Sequence, residues 1–256
     1  MRHLIAVLLA TSLTATVAAA RPAKTASPPL PDTAIVTVGS GDEATQAFVA
    51  WPAKRAGAAG IVVAHEWWGL NSEIRDEARR LSREGYVVIV PDLYRGKTTT
   101  DPDAAREMAR GLDEARALND LAAAIGWLRG QPDMQKSKLG VVGFSMGGSL
   151  SQRLALAHPE LLSAAVMFYG RPETDPAVLK TLAVPLQAHF GATDSTSTRA
   201  DALKQSLTAA GKDAEVYVYP GAGHAFMNDE GASYHRDAAR QAWARMLAFL
   251  QRHLRG

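Results

Sequence analysis

The 256-residue chain is 47% hydrophobic and 21% charged, the balance of an ordinary soluble globular protein. Its formal charge of +2 offers no basic surface for nucleic acid or a membrane face. The absence of cysteine removes disulfides, thiolate metal sites and a cysteine nucleophile together.

Residues 1–20 read as a secretory signal. Arg2 precedes a short apolar run, and Ala18-Ala19-Ala20 offers a small-residue cleavage site. The run is too short and too rich in Thr and Ala for a comfortable membrane span, so the expectation is an exported protein, periplasmic or secreted, without stable membrane association after cleavage. Residues 21–32, rich in Pro, Ala and Ser, read as a flexible lead-in to a domain over 33–256.

In chain order, 34–38 and 46–51 are β-branched or aromatic runs parted by Gly39-Ser-Gly-Asp42, and predict a hairpin. The wholly apolar 61–64 predicts a strand buried on both faces. Asn71 or Ser72 caps the following helix, whose apolar positions are Ile74, Ala78 and Leu81. Gly85 ends that helix before a strand over 86–90. Helical patterns cover 104–111 and 113–128, and further strands are expected at 139–142, 163–169, 184–190 and 214–219. Helices over 148–158, 198–210 and 234–254 complete the alternation. Such alternation calls for an α/β fold, a mostly parallel sheet with helices on both faces. The loops after Ala64, Val90, Val142, Phe190 and Tyr219 should then meet at the strands' C-terminal ends.

Those loops carry chemistry. Gly143-Phe-Ser-Met-Gly147 lies between a strand and a helix, the context of a nucleophile elbow, with Ser145 at its apex. A serine hydroxyl must lose its proton as it attacks, so it needs a base. His224, in the glycine-rich loop after 214–219, is the candidate base, and Asp194, after Gly191-Ala-Thr, is the acid that fixes its tautomer. The other reading of Asp194 is a turn or helix cap. Two oxyanion donors are required, and the Met146 and Trp67 N–H groups are the candidates. Trp68, Tyr94, Phe144, Phe226 and Met227 are expected near the pocket. His189 reads as core, and His158, His235 and His253 as helix-surface residues. No zinc-type spacing occurs, and His65-Glu66 is a lone pair, so no metal is expected.

The ordered set His65-Glu-Trp-Trp-Gly-Leu-Asn71, Pro91-Asp-Leu-Tyr94, Gly143-Phe-Ser-Met-Gly-Gly148, Gly191-Ala-Thr-Asp194 and Gly221-Ala-Gly-His-Ala-Phe-Met-Asn228 resembles the dienelactone hydrolase family of α/β-hydrolases. The resemblance runs from about Ile35 to the C-terminus. It implies a monomeric α/β-hydrolase acting on a small-molecule ester or lactone, with no metal or organic cofactor. Two departures stand out. The family's namesake enzymes place cysteine where this chain has Ser145, which leaves Glu66, matched to a glutamate that tunes their thiol, to hold His224, to hold a water or to shape its loop. The two arginines that grip the substrate carboxylate in those enzymes fall on Asn228 and Gly96 here, with Arg95 one place earlier and Arg171 a further candidate. An acyltransferase or peptidase on the same three residues, and a binding protein on the same fold, are the alternative readings.

Overall fold

Eight strands form one sheet in the order β1-β2-β4-β3-β5-β6-β7-β8. The computed structural model describes residues 32–256; the expected signal peptide and all of the lead-in before Asp32 lie outside the described residues. Strands β1 (Asp32–Val38) and β2 (Thr45–Trp51) pair antiparallel as a hairpin, and β2 pairs antiparallel with β4 (Val87–Pro91). From β4 onward all pairings are parallel, through β3 (Gly60–Ala64), β5 (Leu139–Phe144), β6 (Ala164–Phe168), β7 (Leu186–Gly191) and β8 (Ala214–Tyr219). The central strands β3 to β6 are buried at every position, as their unbroken apolar runs require once helices cover both faces.

Alternate residues of each strand feed two cores. Val62, Ala64 and Val141 pack with α3 (Glu114–Gly130), α4 (Met146–Ala157) and α6 (Ala200–Ala209). Ile61, Val63 and Val142 pack on the other face with α1 (Ser72–Arg83) and α7 (Arg236–Arg255). Asn71 starts α1, its Oδ1 accepting the Ile74 N–H at 3.1 Å, while Ile74, Ala78 and Leu81 turn inward. Helix α2 (Pro102–Arg110) starts with Asp101 as cap and proline in its first turn, and a short α5 (Pro176–Leu179) lies between β6 and β7. The segment after Asp194 opens as a 3-10 turn, Ser195–Arg199, before becoming α-helical. Among the described residues, no helix is long and apolar enough to cross a membrane.

Candidate active site

Strand β5 ends at Phe144, and the chain reverses into α4 within one residue. Ser145 takes up that reversal at φ 53 and ψ −115, a region that costs an L-residue about 1–3 kcal/mol and persists only where the surroundings enforce it. The surroundings are backbone. A Cβ at Gly143 would lie 1.9 Å from the Gly147 carbonyl oxygen, and one at Gly147 would lie 2.0 Å from the Ala64 carbonyl oxygen. Both glycines are therefore required by close approach. The Ser145 N–H donates to the Phe168 carbonyl at 2.9 Å, which ties the elbow to β6.

The apex hydroxyl meets a histidine. Ser145 Oγ lies 2.8 Å from His224 Nε2, and His224 Nδ1 lies 2.7 Å from Asp194 Oδ2. The histidine and acid loops are bound to each other. The Ala192 N–H donates to the Tyr219 carbonyl at 2.9 Å, and the Thr193 N–H to the Ala222 carbonyl at 3.0 Å. Asp194 makes the contacts of both readings open to it in the sequence: besides meeting His224 it accepts the Thr196 N–H at 3.1 Å and the Thr196 hydroxyl at 2.6 Å, capping the turn that follows. Burial pushes the Asp194 carboxyl up, but the hydrogen bonds from His224 and Thr196 outweigh it and hold the group below its ordinary range. Burial lowers the His224 imidazole, yet the Asp194 hydrogen bond and charge, with a further contribution from Glu66, leave it above its ordinary value. A base raised in this way is a better proton acceptor from serine, provided it starts neutral.

Met146 is the first residue of α4, so no intrahelical carbonyl reaches its N–H. Trp67 sits in a turn closed by the Gly69 N–H to the Glu66 carbonyl at 3.3 Å, and no acceptor meets the Trp67 N–H among the described residues. Trp67 and Trp68 pack edge to face at 5.0 Å, both half-buried. Neighbouring His65 is structural. Its Nδ1–H donates to the Glu66 carbonyl at 2.6 Å and its Nε2 accepts the Leu93 N–H at 3.1 Å, which locks the loop after β3 to the loop after β4. Burial lowers its pKa, consistent with a neutral ring.

Glu66 is 3% exposed, and its Oε1 has no hydrogen-bond partner among the described residues. Burial raises its pKa, opposed by the nearby Tyr169 hydroxyl and by the charge of His224. Tyr169 was not singled out in the sequence. It is buried, takes a positive φ of 38°, and packs edge-on against the His224 ring at 5.2 Å. Its hydroxyl, like Glu66 Oε1, has no partner within hydrogen-bond geometry, so the two groups are neighbours rather than a bonded pair.

The expected pocket residues divide. Tyr94 reaches the elbow, its hydroxyl donating to Met146 Sδ at 3.3 Å. Arg95 does not face the site as expected: a φ of 54° swings it toward α3, where it meets Asp120 through two hydrogen bonds of 2.7 and 3.0 Å. Phe144 and Phe226 are core residues instead of pocket walls. Phe144 stacks on Phe168 at 5.0 Å, and Phe226, fully buried, packs on Tyr169 and Tyr219. Met227 lines a different cleft, of about 620 Å3, between α1 and residues 227–234. Burial and neighbouring carboxylates push Glu73 there up to about 8, and burial pushes Glu77 up to about 7. His189 is core, bonded through its two nitrogens to Tyr219 and Gln187 at 2.8 Å each. His235 caps α7, His158 ends α4, and His253 is half-buried against Phe249. Among the described residues, no group of three or more His, Asp or Glu is placed to hold a metal ion.

A doubly covered parallel sheet with a strained serine between β5 and α4, an acid after β7 and a histidine after β8 defines an α/β-hydrolase. The dienelactone hydrolase family model matches residues 45–254, and the chain belongs to that family. A Yersinia pestis protein carrying the provisional name carboxymethylenebutenolidase is 32% identical over 234 residues, 85% of this chain and 87% of the relative. Protein usf of Aquifex pyrophilus is 32% identical over 207 residues, 77% of this chain and 90% of the relative. A Klebsiella pneumoniae structure, provisionally named a dienelactone hydrolase, superposes with a TM-score of 0.76 at 30% identity, covering 85% of this chain and 97% of that one. The protein is a hydrolase of the dienelactone hydrolase type, which works on a small-molecule substrate.

Proposed function

We propose that this protein is an exported serine hydrolase of carboxylic esters or lactones, working through Ser145, His224 and Asp194. The observation that carries the reading is the continuous chain of 2.8 and 2.7 Å contacts from Ser145 Oγ through His224 to Asp194 Oδ2, with the serine on an enforced, strained turn. His224 Nε2 takes the hydroxyl proton as Oγ attacks the carbonyl carbon. The oxyanion receives the Met146 and Trp67 N–H groups. The carbon–oxygen bond to the alcohol then breaks, and His224-H⁺ protonates the departing oxygen. Water, deprotonated by His224, attacks the acyl-enzyme and restores Ser145. Export rests on the amino-acid pattern of residues 1–20 alone.

The reading is tested by hydrolysis of short p-nitrophenyl esters and γ-lactones. Ser145→Ala and His224→Ala should each lower kcat about 10⁴-fold or more. Full activity in either folded variant would rule the mechanism out.

A further inference from the structure

The residue that follows the nucleophile is a methionine, and the proposed mechanism leaves its thioether unused. Met146 is half-buried and packs against the core beside α4. Its Sδ accepts the Tyr94 hydroxyl at 3.3 Å. Burial pushes that hydroxyl up to about 12, so it stays a donor at neutral pH. Four of the other methionines among the described residues, Met134, Met167, Met227 and Met246, are no more than 6% exposed. The fifth, Met108, is half-buried like Met146, and lines a cleft of about 330 Å3 with Tyr94, Lys97 and Arg116. Oxidation follows access, so an oxidant in solution meets the sulfurs of Met108 and Met146 before the rest.

At Met146 an added oxygen meets two fixed neighbours. The elbow backbone cannot give way: the Ser145 N–H is held by the Phe168 carbonyl at 2.9 Å, and a Cβ at Gly147 would lie 2.0 Å from the Ala64 carbonyl oxygen. Tyr94 is held too. It is 6% exposed, its N–H donates to Asp92 Oδ1 at 3.0 Å, and its ring packs on His65 at 5.2 Å. A thioether is a weak acceptor, whereas a sulfoxide oxygen is a strong one. The O–H···O bond it would draw from Tyr94 is itself about 2.7 Å long. An oxygen set between Sδ and the hydroxyl, now 3.3 Å apart, therefore drives the two groups apart. With both backbones held, the displacement falls on the Met146 side chain, next to Ser145 and on the residue whose N–H receives the oxyanion in the proposed mechanism. The same step turns a flexible apolar side chain into a polar, chiral one against an apolar core.

We propose that Met146 is an oxidation site that governs the nucleophile: a hydroperoxide converts it to the sulfoxide, and the sulfoxide disables Ser145. The sulfur lone pair attacks the hydroxyl oxygen of the hydroperoxide and the O–O bond breaks. The other oxygen leaves with the proton of the attacked one, as water from hydrogen peroxide or as an alcohol from an organic hydroperoxide. Sulfur loses two electrons and the peroxide gains them. A methionine sulfoxide reductase reverses the step, two thiols becoming a disulfide while the oxygen leaves as water. The loss of hydrolysis rests on the ester-hydrolase reading; the oxygen transfer to Met146 does not.

The test treats the protein with graded hydrogen peroxide and reads each sample twice: the oxygen gained at each methionine, by peptide mass spectrometry, and the hydrolysis of p-nitrophenyl butyrate. Met146 should gain one oxygen before any of the four buried methionines. The rate should fall in proportion to Met146 sulfoxide, whatever the state of Met108, and by about tenfold or more at full conversion. Methionine sulfoxide reductases with dithiothreitol should restore it. Each variant is compared with its own untreated rate. Met146→Leu should keep most of that rate at a dose that silences the unaltered protein, and Met108→Leu should lose as much as the unaltered protein does. Full conversion of Met146 with the rate unchanged would overturn the site. So would an equal proportional loss in Met146→Leu, or a Met146 still reduced once the buried methionines are oxidised. In a protein that cleaves no ester even untreated, Met146 oxidised ahead of the buried methionines would keep the modification site and refute the hydrolase reading instead.

Discussion

At the elbow, backbone is fixed by backbone: Cβ atoms at Gly143 and Gly147 would stand 1.9 and 2.0 Å from carbonyl oxygens, and the Ser145 N–H is committed to β6. Around the neighbouring cleft, residues 94–97 and 107–116 present side chains of varied exposure, an exposed Lys97 and half-buried Met108 and Arg116. The elbow has no room for variation, and in the proposed mechanism it carries the chemistry. The rim has room for variation. The family's carboxylate-gripping positions fall on Gly96 and Asn228 in this chain, at the rim and in the histidine loop, while the elbow keeps both flanking glycines, Gly143 and Gly147, around a serine in place of the namesake enzymes' cysteine.

The sharpest way to break the contrast is Gly147→Ala. Its methyl group would enter the Ala64 carbonyl, and stability should fall by more than about 3 kcal/mol with loss of ester hydrolysis. Thermal unfolding and rate measurements together check this; near-normal values for both would mean the elbow is not locked by contact. Second in size is Arg95→Ala. Asp120, with its side chain 2% exposed, would lose its bidentate partner, for a cost of about 3 kcal/mol in urea unfolding. Replacing Asp120 by Ala in the same chain should restore part of that loss. A cost below about 0.5 kcal/mol, the size of an ordinary surface change, would show that the pair does not anchor the turn.

The smallest expected effect joins the two regions. His224 must be neutral to accept the serine proton, so kcat/KM falls as pH drops through its pKa, which Asp194 and Glu66 raise against burial. Removing the Glu66 charge removes one of the raising contributions. Glu66→Gln should therefore move the acid limb of the pH profile to lower pH. A shift to higher pH would contradict the electrostatic role, and an unmoved limb would mean that Glu66 carries no charge in the resting site.

Much of the floor is legible in the sequence. Glycines two before and two after Ser145 signal a close backbone approach, and the alternation of apolar runs with helical patterns calls for a mostly parallel sheet covered on both faces. Asp194 and His224 each follow a strand end in the order an elbow serine requires, and the structure brings both to Ser145. The rim was less legible, for a physical reason: its contacts depend on side-chain direction. Arg95 lies in a site motif, yet its positive φ sends it to Asp120, 25 residues away. Phe144 and Phe226 sit in catalytic motifs, but the strand alternation and the turn at Ala225, with φ 57, put their rings in the core. Tyr169 had only the signal of an aromatic before glycine at a strand end.

The central claim is that Ser145 is an activated nucleophile, and labelling with a fluorophosphonate tests it most directly. The adduct, located by peptide mass spectrometry, should fall on Ser145 alone, disappear in Ser145→Ala, and form far more slowly in Asp194→Asn. A folded protein that takes no label, or takes it on another residue, would contradict the account.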